Sequence, residues 1–241
     1  MQGKSLPRIR SQIIQGVLVT QDTTGVVLSN IISMLSRTPE VCSRIRGEVA
    51  SLGPVEGWNA TDLKNLKLLH SVIKESKFPI PQYHSNLFSL IGIALRLYPL
   101  FHANSRVAIV DTTLPTSGGP HGSAPIFIPV GTKVSTNFYT LHRQTSVFGE
   151  DIASFGPDRW DHIAPDRWDH IAPDNGEFMP FSHGPCSCAG RHKAFGESSY
   201  IIARMAVQFK QIKSCDDRPW TEDVKLVVKN GNNCKVALYT A

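Results

Sequence analysis

Long apolar runs are scarce in this chain. The longest extends only from Leu87 to Leu95, far short of the roughly 20 residues that a bilayer-spanning helix requires. No secretory leader is legible at the start, so the chain as written is expected to be soluble or peripheral, with no anchor of its own. Basic clusters interleaved with aromatics are missing too. The net charge of +5 and the pI near 9.0 come from scattered lysines and arginines, which argues against nucleic acid as a partner. Cysteines are few and lack zinc-site spacing. Cys42, Cys186, Cys188, Cys215 and Cys234 form an odd set that suits a reducing compartment better than a disulfide framework, and the Asn59-Ala60-Thr61 sequon is then expected to go unused.

What the chain does have is an ordinary apolar share, 41% of 241 residues, enough for a core in one large domain or two small ones. Its densest chemistry lies in Phe178-Met-Pro-Phe-Ser-His-Gly-Pro-Cys-Ser-Cys-Ala-Gly-Arg191. This reads as a glycine- and proline-rich loop carrying thiols, followed by a helical run through Phe209. With Ala189 and Gly190 behind it, Cys188 can offer sulfur to a flat metal centre while the backbone comes close. The start of the following helix would favour a sulfur anion there. A Cys-x-Cys pair on its own would favour two buried free cysteines in a structural loop.

Along the rest of the chain, Ile14, Val17, Leu18, Leu28, Ile31, Ile32 and Leu35 recur at helical spacing, which predicts a long buried helix from Ile13 to Leu35. Inside it, Asp22 and Thr23 interrupt an apolar pattern. Such an acid and alcohol cost stability unless they serve something, although Thr23 can also bond back to a helix carbonyl and Asp22 reach solvent. Thr38-Pro39-Glu40 marks a restart, with a second helix running to about Leu52. Thr61-Asp62 opens another through Leu66, Leu69, Val72 and Ile73. Strands are expected at Arg106–Val110, at Ile126–Val130 and at Lys133-Val134, around a turn at Thr116–Ala124. A terminal hairpin is expected to pair Val224–Val228 with Lys235–Tyr239 around Asn230-Gly-Asn-Asn233.

The spacing Phe181-x-x-Gly184-x-x-x-Cys188-x-Gly190 resembles the haem-binding signature of the cytochrome P450 family. Ala194, Glu197, Ser199 and Tyr200, together with Asp111-Thr-Thr-Leu-Pro-Thr-Ser-Gly-Gly119, are similar to its fungal branch that hydroxylates alkanes and fatty acids. The resemblance implies a mainly α fold with small β-hairpins, here the C-terminal portion of the family fold with the N-terminal half missing. It makes Cys188 the axial ligand of haem, with Phe181, Gly184 and Gly190 shaping the loop and Arg106 facing a propionate. It gives Asp22 and Thr23 the delivery of protons.

It further implies a structural triad of Glu75, Arg96 and either Arg159 or Arg167. Electrons from NADPH through cytochrome P450 reductase, a lipophilic small-molecule substrate, and residence of the full-length protein at the cytosolic face of the endoplasmic reticulum membrane also follow. Membrane association would come only through the missing half. Several positions depart from the pattern. Cys186 replaces a basic residue, Lys193 an apolar one, and Val19-Thr20 the small pair ahead of the acid, crowding the groove meant for oxygen.

Two irregularities concern the gene. Glu75 and Arg96 have the family's neighbours but stand too far apart, and residues 77–94 read as a retained intron. Replacing Ser76 to Ala94 by one threonine restores Glu-Thr-Leu-Arg, which puts the pair one helical turn apart. Pro157–Ala164 recurs letter for letter as Pro165–Ala172, a tandem octapeptide duplication too short for a solenoid. The implied activity is haem-thiolate monooxygenation of an unactivated C–H bond. Its alternatives are a truncated, non-catalytic remnant with weak or no haem binding, and a metal-free interaction module.

Overall fold

The computed structural model describes residues 5–59, 62–63, 94–155, 176–225 and 227–240. Helix α1 (Leu6–Leu35) carries proline in its first turn, where a missing amide costs nothing, and runs straight into α2 (Pro39–Ala50) through a short turn. The turn is fixed by side chains that bond back to α1. Ser36 Oγ donates to the Ser33 carbonyl at 2.8 Å and Thr38 Oγ1 to the Met34 carbonyl at 2.9 Å. Thr38 therefore does not cap α2 with its hydroxyl as expected, and Pro39 and Glu40 alone supply the start signal.

Burial along α1 is unequal. Its last turns place Val27, Ile31, Met34 and Leu35 in the core, whereas Ile13, Val17, Leu18 and Val19 are 57–65% exposed. The expected helix forms, but only its C-terminal half is buried. Two short helices, α3 (Phe138–Leu141) and α4 (Thr145–Phe148), precede α5 (Arg191–Gln208) in the chain. The buried half of α1 packs with α2 and with α5, so that Ile31, Leu35, Ile45, Val49, Ile202 and Ala203 interlock. Each of these six side chains is 3% exposed or less, which makes this apolar layer the main source of stability.

Four two-stranded antiparallel ribbons flank the helices among the described residues. Strand β1 (Ala103–Val107) pairs with β4 (Lys133–Asn137), and β2 (Thr112–Gly118) with β3 (Ala124–Ile128). Strand β2 thus occupies part of what the sequence presents as a turn. Next come β5 (Phe209–Ser214), β6 (Glu222–Val224), β7 (Val228–Asn230) and β8 (Val236–Thr240). The expected terminal hairpin is not formed. Instead β6 pairs with β7, and β8 returns to β5, the strand that leaves α5. The Asn230 side chain is the reason, because its Oδ1 accepts from the Asn232 and Thr221 amides and its Nδ2 donates to the Asn233 carbonyl, turning the chain towards β5.

At Asn59 and Asp62 each side chain accepts from the other's amide, at 3.1 and 2.9 Å. This reciprocal cap puts the capping side chain at Asn59, two residues ahead of Thr61, and the helix expected from Thr61-Asp62 is described at 62–63. Glu75, Arg159, Arg167, the octapeptide repeat and all of the 77–94 interval except Ala94 lie outside the described residues. Residues 94–97 are helical and all four are buried. Among the described residues no helix is long and apolar enough to cross a membrane.

The C-terminal end of α5 is held from outside. Arg46 of α2 donates to the carbonyls of Ala206, Phe209 and Lys210 at 3.1, 2.9 and 2.7 Å, taking up groups that a helix end leaves without an internal partner. Truncation at Arg46→Ala is expected to lower stability by about 1.5–3 kcal/mol, the range for bonds to a charged donor, as read from urea unfolding midpoints. Arg46→Lys, which keeps the charge and loses the fork, should fall between the two.

Candidate functional site

The loop ahead of α5 is built by backbone bonds in a tight sequence. The Ser182 amide donates to the Met179 carbonyl, closing a turn in which Ser182 adopts φ +61°. A 3-10 turn, Gly184–Cys186, follows and is closed by Ser187 N–H on the Gly184 carbonyl. The Cys188 amide then donates to the Phe181 carbonyl at 2.9 Å. Residues 181 and 188 are thereby joined at the base of a closed loop, and α5 begins three residues later with Gly190 as its N-cap.

Cys188 is exposed, and a β-carbon placed on Gly190 would stand 3.7 Å from its Sγ. The absent side chain leaves room at the sulfur. Gly184 has φ +73°, a left-handed conformation that other L-residues adopt only at a cost. Cys186 lies in the 3-10 turn and is exposed as well. Lys193 turns back to Glu197 at 2.6 Å on the exposed side of α5, so its charge is paired one turn along the helix.

Strand β1 brings a cation to the same loop. Arg106 donates to Asn104 Oδ1 at 2.9 Å and to Ser182 Oγ at 3.4 Å, and Asn104 Nδ2 reaches the same Ser182 hydroxyl at 3.2 Å. Ser182 and Asn104, which the sequence did not mark, join Arg106 to the cysteine loop. Phe181 packs beside Phe195 of α5 with ring centroids 5.0 Å apart. Four sequence-derived loop residues, Phe181, Gly184, Cys188 and Gly190, and the strand residue Arg106 are therefore brought together.

The acid and alcohol of α1 are placed differently. Thr23 Oγ1 donates to the Val19 carbonyl at 2.8 Å, and Asp22 is exposed, the local arrangement that an interior threonine adopts by default. Of the pair ahead of the acid, Val19 is 65% exposed and Thr20 faces the groove between α1 and α5. That groove, of about 680 Å³, is lined by Val17, Thr20, Thr24 and Leu28 on one side and Glu197 and Tyr200 on the other.

Arg96 is 0% exposed, and its guanidinium donates to the carbonyls of Ile152 and Ser154 at 2.7 and 3.3 Å while lying over the Phe148 ring. Arg143, another residue without an assigned role in the sequence, donates to the carbonyls of Leu97 and Tyr139 and covers the Tyr139 ring. Burial pushes its pKa below the usual guanidinium value, opposed by Tyr139, Glu222 and Tyr98. Beside it His142 is fully buried. The sequence signal for His142 is its i,i+4 spacing from Phe138, against which its ring stacks.

The family model for cytochrome P450 matches residues 91–236, more than half of the chain and all of this loop. The chain belongs to the cytochrome P450 family. Among fungal relatives, a cytochrome P450 monooxygenase from Aspergillus japonicus, himC, is 34% identical over 231 residues, covering 96% of this chain and 37% of the relative. The monooxygenase fsdH of Fusarium heterosporum is 32% identical over 96% of this chain and 36% of the relative. Cytochrome P450 52E1 of Candida apicola is 36% identical over 85% of this chain and 36% of that protein. The chain thus spans little more than a third of the length of these P450 relatives.

Haem is the group that the P450 family implies, and the residues at the loop fit it. Among the described residues no group of three or more His, Cys, Asp or Glu could cage a bare ion. The lone sulfur of Cys188 suits a metal that brings its other ligands with it, as one in a porphyrin does. A soft, exposed sulfur suits iron, and the guanidinium of Arg106 on the same loop suits a carboxylate.

The two glycines should separate in their effects. Gly184→Ala is expected to cost about 1–2 kcal/mol because of its positive φ, measured by thermal or urea unfolding. Gly190→Ala should cost less than about 1 kcal/mol but slow alkylation of Cys188, followed site by site with mass spectrometry, because the new methyl shields one side of the sulfur.

Proposed function

We propose that this chain supplies the thiolate face of a haem-dependent monooxygenase that acts on an unactivated C–H bond of an aliphatic chain, such as an alkane or fatty acid. The observation that carries this is the closed loop in which an exposed Cys188 stands at the head of α5 with Arg106 bonded to the same loop through Ser182. When bound, haem supplies reductive activation of O2, with electrons from NADPH through cytochrome P450 reductase. Cys188 would hold the iron through its sulfur, and Phe181, Gly184 and Gly190 would keep the loop closed on itself while leaving the sulfur open to a flat group. Arg106 holds a propionate. Asp22 would take up a proton from solvent and release it inward, and Thr23, whose hydroxyl donates to the Val19 carbonyl, would accept a hydrogen bond from the group that receives it.

Arg96 is the central member of a structural triad with Glu75 and either Arg159 or Arg167. An aliphatic substrate is supported by the likeness of segments 111–119 and 194–200 to the fungal alkane and fatty-acid hydroxylases. Docking to a reductase at the cytosolic face of the endoplasmic reticulum belongs to the same proposal.

One observation favours the non-catalytic alternative. The N-terminal half of α1 leaves Ile13, Val17 and Leu18 57–63% exposed, so among the described residues little covers that apolar face to exclude water.

The test begins with haem titrated into the chain and the reduced, carbon-monoxide-bound spectrum recorded. Cys188→Ser is expected to lose the thiolate-type band and Cys186→Ser to keep it; the reverse pattern refutes the ligand assignment. With reductase, NADPH and a long-chain fatty acid, hydroxylated product supports catalysis by this chain. NADPH consumption that yields only peroxide supports the non-catalytic alternative.

A further inference from the structure

His142 ends the short helix α3 (Phe138–Leu141) and is buried completely. Its backbone amide closes that helix on the Phe138 carbonyl at 3.0 Å. Its ring lies parallel to Phe138, 5.9 Å between centroids, and tilted against Phe178 at 4.8 Å. Across the ring, Nε2 accepts the Met179 amide at 3.0 Å. An accepting Nε2 requires the neutral ring with its proton on Nδ1.

Met179 is where the cysteine loop begins. Its carbonyl takes the Ser182 amide, Ser182 Oγ takes Asn104 and Arg106, and the neighbouring Phe181 carbonyl takes the Cys188 amide. The chain of bonds therefore runs from His142 through one amide to the turn that carries Arg106 on one side and Cys188 on the other. A half-buried amide that loses its acceptor gives up the bond and part of its desolvation, since water reaches it only in part.

We infer that His142 is a positioning residue: as a neutral acceptor for the Met179 amide, it fixes the start of the Cys188 loop and thereby the place of the sulfur relative to Arg106. Its effect on haem rests on the reading of Cys188 as ligand, whereas the clamp itself does not.

The surroundings keep the ring neutral. Burial pushes the pKa of His142 down to about 4, the Leu95 carbonyl works against this, and the Arg143 and Arg96 charges add to it. From the 176–182 segment the ring meets Phe178 and the Met179 amide, and from 94–97 it meets Arg96 and the Leu95 carbonyl. No carboxylate is among the groups that shift it. The folded state binds this proton more weakly than the unfolded chain, whose histidine titrates near 6.5. The stability that comes from the neutral ring is complete above pH 6.5, falls as the pH drops towards 4, and changes no further below it.

The test uses the full chain with His142→Phe, which fills the space and stacks but accepts nothing, and His142→Gln, whose carboxamide oxygen can occupy the Nε2 position. Exchange of the Met179 amide should quicken about tenfold in His142→Phe and return to within about threefold of the parent in His142→Gln, the range expected for a half-buried donor losing and regaining its acceptor. Haem retention, read from the reduced carbon-monoxide spectrum, should follow the same order.

Urea midpoints between pH 7 and 4 should fall in the parent and lose that part of their slope in His142→Gln. Equal behaviour of the two variants, whether both like the parent or both unfolded, overturns the inference. So does unchanged haem retention in His142→Phe when Cys188→Ser has lost it. If Cys188→Ser leaves the spectrum unaltered, the ligand assignment fails, and the Met179 exchange rates still decide the clamp.

Discussion

A guanidinium with no access to water must find its acceptors inside the protein. At 0% exposure Arg96 does so with the carbonyls of Ile152 and Ser154, and the irregular 149–155 segment has to wrap round it to supply them. Neighbouring cations repeat the arrangement, with Arg143 on the Leu97 carbonyl and Arg46 on the carbonyls of 206–210. The 149–155 segment, which has no ladder of its own, is thus fastened to the 94–97 turn by a charged donor. Removing one such donor leaves carbonyls dry, which costs more than the bond itself contributes.

This fastening sets the frame in which the cysteine loop sits. Arg96, Arg143 and His142 share one apolar region lined by Phe138, Phe148 and Phe178, and the loop leaves that region at Met179. Its far end is anchored at α5 through Phe181 and Phe195. Between those anchors the loop holds its shape through backbone bonds and positive-φ residues, so Cys188 is exposed without being free to wander.

Much of this could be read from the residues. The 3.6-residue periodicity of 13–35 gave the main helix, Pro39 the second, and the spacing of Phe181, Gly184, Cys188 and Gly190 the loop, because each depends on neighbours in sequence. Strand pairing was not legible. Val224–Val228 and Lys235–Tyr239 have the alternation of a hairpin, yet Asn230 redirects the chain and β8 joins β5. Partner choice there rests on one side chain's bonds and on no pattern. The exposed half of α1 was equally hidden, since periodicity shows which face is apolar and does not show whether anything covers it. His142 and Arg143 were visible as residues but not as contacts, for their partners are carbonyls and amides that carry no sequence signature.

The order of synthesis gives the three-helix layer a further consequence. Helices α1 and α2 leave the ribosome long before α5, and Arg46 lies 160 residues ahead of the Ala206 carbonyl that it caps. At roughly 5–20 residues per second, the apolar face of Ile31, Leu35, Ile45 and Val49 waits on the order of ten to thirty seconds for Ile202 and Ala203. During that interval the nascent chain carries an uncovered greasy surface next to the ribosome. Its yield in a cell should therefore depend on translation speed and on the supply of holding chaperones more than on the stability of the finished core.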